Sequence, residues 1–250
     1  MQTVSRNVAP GVHRLGLAYV NCYLVEGDDG LTLLDTGLPA LWPLLQQALS
    51  DLGRTGRDLR AVVLTHAHFD HLGTAARLQS TLGVDVWAHP GDHFLAAHPY
   101  RYAPERPRLL YPVRYPQGAK ILGSMARAGA LRVRGVGSGL RAMADGETLD
   151  VPGRPRVVFT PGHTLGHCAL HLPERDALVS GDALVTLDPY TGATGPQIVA
   201  RAATENSQRA LASLTALAET DAGVVLPGHG EPWTTGARAA VAEARHRPIR

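Results

Sequence analysis

The sequence predicts a protein of the α/β or α+β class, with a mixed β-sheet and a single domain over residues 1–250. Short apolar runs typical of strands alternate along the chain with stretches of helical periodicity. No internal repeat, low-complexity tract or long Ser/Gly linker divides the 250 residues. Apolar residues make up 44% of the chain, which is enough for the sizeable core that such a fold requires.

The first 88 residues are expected to begin with a β-hairpin. The sequence Gly27-Asp28-Asp29-Gly30 separates two apolar runs and is typical of a hairpin turn. A glycine follows each of the two stretches that predict helices, as at many helix ends. The predicted strands cover residues 17–25, 31–35, 61–65 and 84–88, and the predicted helices cover 38–52 and 72–82.

Residues 90–146 follow no regular period and are rich in Pro, Tyr, Arg and Gly. We expect this stretch to be an irregular insertion that forms a lid over the active site. Regular patterns return after it. Strands are predicted over residues 156–160, 168–172, 177–180 and 223–226, and helices over 204–220 and 236–247.

The charge balance gives no reason to expect a charged macromolecular partner. The formal net charge is only +2, so we expect neither a nucleic acid nor a membrane as partner. The first residues lack the apolar run of a secretory signal, and no apolar stretch reaches the ~18 residues of a membrane span, which predicts a cytoplasmic protein. Cys22 and Cys168 are too few for a disulfide framework and are expected in the core.

Three histidines and one aspartate lie within six residues directly after the predicted strand 61–65. They are His66, His68, Asp70 and His71. Ligands commonly occur on loops at strand ends, and neutral imidazole with carboxylate suits Zn²⁺, Fe or Mn²⁺ better than Ca²⁺. In an extended chain, residues 66 and 68 point the same way, and 70 and 71 follow as the chain turns. One turn can therefore address two ions.

Three further candidates occur in similar settings, each just past a short apolar strand. They are His163, Asp182 and His229, and each follows a glycine directly. Glycine removes the Cβ that would obstruct a close approach and allows the backbone to aim the next side chain inward. Taken singly, each could be a turn or capping residue, but their common setting favours a metal site.

These motifs together resemble the metallo-β-lactamase fold superfamily, in particular its glyoxalase II-like hydrolases. The segment Thr65–His71, THAHFDH, is similar to the HxHxDH signature of that superfamily. The other matching motifs follow in the family's order: NCYL at 21–24, LLDTG at 33–37, PGHT at 161–164, SGDAL at 180–184 and GHG at 228–230. The resemblance implies a four-layer αββα sandwich of two mixed β-sheets flanked by helices.

The resemblance also implies how seven ligands divide between two metal ions. His66, His68 and His163 would hold the first ion, Asp70, His71 and His229 would hold the second, and Asp182 would bridge them. The ions would most often be Zn²⁺, although Fe or Mn would also suit this ligand set. Asp35 looks like the family's buried acid beneath the metal loop, although a turn or helix-capping role would equally suit its position. His167 matches no ligand of the family, so we expect it to have a structural role.

Such a centre would make a hydroxide nucleophile from water. Two divalent ions that share a water lower its pKa from about 15.7 toward neutrality and polarise a carbonyl oxygen. Asp70 is the predicted catalytic residue, because it can also orient the nucleophile or carry a proton to the leaving group. We therefore expect a binuclear hydrolase that cleaves a small-molecule ester, thioester or lactone.

Departures from known branches leave the substrate open. The commonest zinc β-lactamases have Cys where Asp182 stands, glyoxalase II usually has Gly-Gly at Gly73-Thr74, and quorum-sensing lactonases have Tyr where this chain has Val185. Tyr190 is a possible substrate-binding substitute on the same predicted loop, residues 184–200, which we expect to shape the pocket. One alternative is an oxidoreductase that resembles the mononuclear-iron persulfide dioxygenases.

A second alternative is a nuclease or phosphodiesterase of the same fold. Eight arginines and four tyrosines concentrate between residues 100 and 141, a composition that could stack on and neutralise a nucleic acid. A solvated lid over the metal cleft is the interpretation that the small net charge favours.

Overall fold

The computed structural model describes residues 2–250, and their first half forms a seven-stranded mixed sheet. The strands lie side by side in chain order, with β1 to β4 antiparallel and β4 to β7 parallel. They are β1 (Gln2–Ala9), β2 (Val12–Leu17), β3 (Val20–Gly27), β4 (Gly30–Leu34), β5 (Leu59–Val63), β6 (Asp85–Ala88) and β7 (Leu140–Ala142).

The second half forms a smaller mixed sheet and a separate hairpin. Its strands are β8 (Arg156–Phe159), β9 (Cys168–Leu172), β10 (Ala177–Gly181), β11 (Val185–Leu187), β12 (Thr194–Gln197) and β13 (Val224–Pro227). The sheet has the order β13-β10-β9-β8, with β10 and β13 parallel and the other pairs antiparallel. β11 and β12 pair with each other.

Helices cover the outer faces of both sheets. The α-helices are α1 (Trp42–Asp51), α2 (Ala75–Leu82), α3 (His93–Ala97), α4 (Tyr111–Arg114), α5 (Pro116–Arg127), α6 (Ser207–Glu219) and α7 (Ala237–Arg245). Leucines of α1 and α2 pack on one face of the larger sheet, and α6 and α7 pack on one face of the smaller sheet.

A second apolar core lies between the two sheets. Buried side chains of the larger sheet, such as Tyr23 and Val63, belong to the same apolar cluster as Leu170 and Val179 of the smaller sheet. Two sheets that bury their inner faces together and carry helices outside form a four-layer sandwich. The predicted αββα architecture with two mixed sheets is therefore confirmed.

The structure differs from the sequence prediction at the N-terminus. The hairpin between β3 and β4 is present, with Gly27 paired to Gly30. The predicted strand 17–25, however, is divided by a tight turn at Ala18 and Tyr19, whose φ angles are 51° and 70°. L-residues rarely adopt this left-handed conformation, so neither residue gave a turn signal, and β1 and β2 were missed.

Two stretches predicted as loops are more regular than expected. Residues 90–146 contain three α-helices and β7, and residues 184–200 contain the β11–β12 hairpin. Pro116, Gly118 and Gly123 obscured the periodicity of α5. A Cβ on Gly118 would lie 1.9 Å from the carbonyl oxygen of Tyr190, so this glycine is required by packing rather than by helix formation.

Within residues 2–250, none of the helices has both the length and the apolar character needed to cross a membrane.

Candidate metal centre

The structure brings all seven predicted ligands together at one edge of the sandwich. The turn after β5 carries four of them, and the loops after β8, β10 and β13 carry one each. All seven side chains are buried, the most exposed being Asp70 at 7%. Parts of the chain separated by more than 150 residues thus meet because the strands of both sheets end at the same edge.

The ligand atoms form two groups. The ligating atoms of His66, His68 and His163 all lie within 4.8 Å of one another. Those of Asp70, His71 and His229 also lie within 4.8 Å of one another. Each group offers three ligand atoms to one ion, and the division is the one that the family resemblance implies.

Asp182 lies between the two groups. Its Oδ2 is 3.4 Å from Nε2 of His163 in the first group and 3.3 Å from Nε2 of His229 in the second. Its Oδ1 is 3.5 Å from Nε2 of His71. A single carboxylate therefore faces both groups, as a bridging ligand must.

Buried polar atoms without partners show that this donor set fits metal ions. Nε2 of all five histidines and Oδ1 of Asp182 are buried and make no hydrogen bond. Burying a polar atom without a partner costs about 1–3 kcal/mol, and native proteins rarely leave several such atoms together. Divalent cations accept imidazole nitrogen and carboxylate oxygen as ligands and would satisfy these atoms.

The other ring nitrogens orient the imidazoles. Nδ1 of His71 donates to Oδ2 of Asp35 at 2.9 Å, and Nδ1 of His66 donates to the hydroxyl of Thr65 at 3.0 Å. That hydroxyl in turn donates to Asp35 Oδ2 at 2.8 Å, and the Thr65 amide donates to Asp35 Oδ1 at 2.8 Å. Asp35 therefore lies beneath the metal loop and orients one histidine of each group, because these bonds fix both the tautomer and the ring angle.

Two further histidines are oriented by oxygens on other elements. Nδ1 of His229 donates to the backbone carbonyl of Tyr19 at 2.8 Å, in the tight turn between β2 and β3. Nδ1 of His163 lies 3.4 Å from the hydroxyl of Thr204, just before α6. In each case Nε2 is directed into the site.

The two groups differ in their protonation. Burial lowers the pKa of His68 to about 4 and holds those of His66 and His163 well below 6.5. Burial also opposes protonation of His71 and His229, but Asp182 and neighbouring carboxylates outweigh it, raising the pKa of His71 to about 9 and that of His229 well above 6.5. A cation at the second group would displace these protons, so metal binding should release them.

Sequence reasoning missed Asp92, which joins two ligand loops. Its Oδ2 accepts hydrogen bonds from the Ala67 amide at 2.9 Å and the Thr164 hydroxyl at 2.8 Å, and its Oδ1 accepts from the Gly166 amide at 2.7 Å. One buried carboxylate thus holds the turn after β5 against the loop after β8. A single Asp after Gly91 carries no distinctive sequence signal.

His167 is a structural residue, as its failure to match any family ligand predicted. Its Nε2 accepts hydrogen bonds from the backbone amides of Asp182 at 3.0 Å and Ala183 at 3.2 Å. Its Nδ1 donates to the Thr160 hydroxyl at 2.8 Å. Burial lowers the pKa of His167 to about 3, so the neutral ring that these bonds require is present at neutral pH.

A narrow cavity lies over the ligands and leaves space for about 10 Å³, close to a single water molecule. Tyr102 and Tyr190 belong to its walls, and both side chains are buried. The Tyr102 ring lies 4.0 Å from the His68 ring and 3.9 Å from the Arg108 guanidinium. Apolar side chains complete the walls, among them those of Phe69, Leu122 and Met125.

The αββα fold and the buried His/Asp cluster define a protein of the metal-binding hydrolase class. The sequence profile of the metallo-beta-lactamase superfamily matches residues 15–229. The chain therefore belongs to this superfamily.

Relatives agree with this membership. The chain is 27% identical to the probable metallo-hydrolase YflN of Bacillus subtilis (strain 168), over 90% of this chain and 86% of that protein. It is similar to the metallo-beta-lactamase family protein TTHA1429 of Thermus thermophilus, with 29% identity and a TM-score of 0.68 over 94% of this chain and 78% of that one. It also resembles TTHA1623, solved in a di-iron-bound form, with 28% identity and a TM-score of 0.61 over 90% and 95% of the two chains.

Proposed function

We propose that this protein is a binuclear metal-dependent hydrolase that cleaves a small-molecule ester, thioester or lactone bond. The observation that carries the proposal is the set of five buried Nε2 atoms without partners, arranged in two groups around one shared carboxylate. Two groups that share a carboxylate suit two ions better than one. Zn²⁺ is the proposed metal, and the di-iron form of TTHA1623 keeps iron as an alternative.

The residues have distinct roles in this proposal. His66, His68 and His163 hold one ion, and Asp70, His71 and His229 hold the other, with Asp182 between them. When bound, two divalent ions lower the pKa of a shared water and polarise a substrate carbonyl. Asp70 borders the cavity as well as the second group, so it can orient the water and transfer its proton to the leaving group.

The cavity walls favour a neutral, apolar acyl group beside the ligands. Burial raises the pKa of Tyr190, so its phenol stays protonated at neutral pH and can donate a hydrogen bond. We assign Tyr190 the role of donor to a substrate oxygen. Tyr102 shares the cavity, and burial also keeps its phenol protonated by raising its pKa.

The test combines metal analysis with a substrate panel. Protein stripped with a chelator and reloaded with Zn²⁺, Fe²⁺ or Mn²⁺ is expected to hold two ions per chain and to hydrolyse at least one of a panel of aryl esters, thioesters and lactones. His68→Ala and Asp182→Ala should abolish turnover and lower the metal content, because each removes a ligand. His246→Ala and Asp51→Ala are matched controls at exposed positions and should leave both unchanged.

Two results would overturn the proposal. Full activity in either ligand variant would show that the cluster is not the catalytic centre. A single iron per fully loaded chain, with oxygen uptake on a persulfide substrate, would instead establish a dioxygenase.

A further inference from the structure

The cavity over the ligands is too small for the proposed substrates. It has space for about one water molecule, and its roof includes Tyr102 from the loop before α4 and Leu122 and Met125 from α5. The segment Arg108–Arg114 connects these two parts of the roof. Any larger molecule that reaches the ligands requires the cavity walls to move, and this segment connects two parts of those walls.

The connecting segment carries an unusual outer surface. Leu109 is 87% exposed, Leu110 is 71% exposed and Val113 is 82% exposed. Arg106 and Arg114, which flank them, are also exposed. We call these five residues the docking face. Single exposed apolar residues are ordinary, but three large ones within five positions indicate an interaction surface.

The region around the docking face carries an excess of positive charge. Six of residues 101–127 are basic, and Glu105 is the one acidic residue among them. Glu105 is directed away, with Oε2 3.4 Å from Arg201 and Oε1 accepting a hydrogen bond from the Ser207 amide at 3.0 Å. The small net charge of the whole chain, from which we expected no membrane partner, conceals this local excess. An anionic partner is therefore favoured.

Most aromatic side chains of the same region are engaged in contacts within the protein. Tyr102 is buried against His68, and Tyr111 packs with its ring 6.1 Å from that of Tyr190. Tyr100 stacks on Phe69 and donates its hydroxyl to the Ala130 carbonyl at 2.8 Å. Binding of single strands relies on exposed aromatic rings, whereas Tyr100 is 43% exposed and the most exposed large side chains here, those of the docking face, are aliphatic.

A second copy of the chain also fits poorly. A twofold contact through the docking face would place the same patch on both sides, with the Arg106 and Arg114 side chains of the two copies crowded together. Like charges at close range oppose such a contact.

We propose that the docking face binds the surface of an anionic lipid bilayer. The side chains of Leu109, Leu110 and Val113 enter the boundary between headgroups and acyl chains, and the flanking arginines bind lipid phosphates. The same segment contacts the cavity roof, because Arg108 covers Tyr102 and Tyr111 packs on Tyr190. Displacement of the segment on docking would uncover the ligands and open a path from the bilayer to the cavity.

Vesicle sedimentation tests the proposal on the full-length protein. The protein should bind vesicles of phosphatidylglycerol and phosphatidylcholine, with weaker binding at high salt and little binding to phosphatidylcholine alone. Leu109→Ser with Val113→Ser should lower the partition coefficient at least about tenfold, since each buried side chain contributes more than about 1 kcal/mol. Arg106→Gln with Arg114→Gln should lower it on anionic vesicles specifically.

Matched controls lie outside the docking face. Leu131 is 78% exposed and Arg132 is also exposed, so Leu131→Ser with Arg132→Gln removes similar groups elsewhere. These controls should bind vesicles as the parent protein does. Because all of the changed side chains are exposed, thermal unfolding should show that each variant is folded.

Four results would overturn the proposal. Three are equal binding by the docking-face variants and the parent, equal binding to anionic and neutral vesicles, and a light-scattering mass that shows a dimer abolished by Leu109→Ser. If a single-stranded oligonucleotide displaced the protein from vesicles and bound it more tightly than the vesicles do, the docking face would be assigned to nucleic acid. Vesicle binding is measured without hydrolysis, so it can succeed or fail independently of metal content and of the turnover of soluble esters, which test the proposed function.

Discussion

Replacement of Asp92 by asparagine tests whether this buried carboxylate holds the metal site together. All three of its partners are donors: the amides of Ala67 and Gly166 and the hydroxyl of Thr164. Asparagine has one acceptor oxygen and one NH₂ group in place of two oxygens. Whichever way the amide is turned, one backbone N–H on one of the two loops therefore faces another donor.

The energetic cost follows from these contacts. A buried donor without an acceptor costs about 1–3 kcal/mol. Burial raises the pKa of Asp92, which shows that the charge itself is costly, and its removal offsets part of the loss. We expect Asp92→Asn to lower the free energy of unfolding by about 2 kcal/mol, or the melting temperature by ~6 °C. Asp92→Ala leaves all three donors without a partner and should cost more.

Metal affinity separates a positioning role from a general loss of stability. Asp92 holds the turn that carries His68 against the loop that carries His163, so the first group should lose ~10-fold or more in affinity. The second group should change less. Calorimetric metal titration measures the metal affinity, and thermal unfolding of the metal-free protein measures the stability.

The control is Asp85→Asn. Asp85 forms an exposed ion pair with Arg141 at 2.8 Å, which should contribute no more than about 1 kcal/mol. A melting temperature and metal affinities of Asp92→Asn equal to those of the parent would refute the reasoning.

Three further predictions concern a loop glycine, a titrating carboxyl and the ions. Gly162→Ala should prevent stable folding or displace His163, because φ is +140° and the new Cβ would lie 2.2 Å from the Ala210 amide nitrogen. The control Gly137→Ala, where no atom lies within 4 Å of the new Cβ, should leave the circular dichroism spectrum and the melting temperature unchanged. Burial, and then the charge of Asp92, raise the pKa of Glu205 to about 7. The contribution of protonated Glu205 to the free energy of unfolding is therefore fully present below about pH 4.5 and is lost as the pH rises through 7. Glu205→Gln should therefore raise the unfolding free energy at pH 8 by about 1 kcal/mol after solvent screening, but not at pH 4.5; a less stable variant at pH 8 in urea titrations would contradict this. Removal of the ions with a chelator should lower the melting temperature, since ions at ~100 times their dissociation constant contribute about 2.7 kcal/mol; an unchanged melting curve would argue against binding to this cluster.

The seven candidate ligands could be predicted from the sequence, because a metal site requires particular residue types at particular spacings. Three imidazoles and a carboxylate in six residues are hard to account for except as metal ligands, and a glycine precedes each distant ligand at a position with no space for a Cβ. The structure brings these seven side chains together. Most regular elements were also found within a few residues of their ends, because the apolar periods of strands and helices are strong signals.

The elements that were missed share a physical reason. The turn at Ala18 and Tyr19 uses residues that do not favour a positive φ, and α5 contains Gly118 where the carbonyl of Tyr190 leaves no space for a Cβ. In both places a tertiary contact overrides local preference. The carbonyl of Tyr19 in that strained turn accepts the hydrogen bond that orients His229. Local sequence preference therefore failed to predict the turn whose backbone carbonyl orients His229.

The contacts that Asp92 and His167 make could not be predicted for a further reason, which also bears on how the site works. Both accept hydrogen bonds from backbone amides, a task that many polar side chains can perform and that requires no particular spacing in sequence. The protein, not the ion, thus positions the backbone of Asp182 and holds the two ligand loops together. A site held in this way would need little reorganisation on ion binding beyond the loss of the His71 and His229 protons, because the ring orientations and the position of the Asp182 carboxylate are already set. The support residues should therefore affect metal affinity nearly as strongly as ligands, although they never touch the metal.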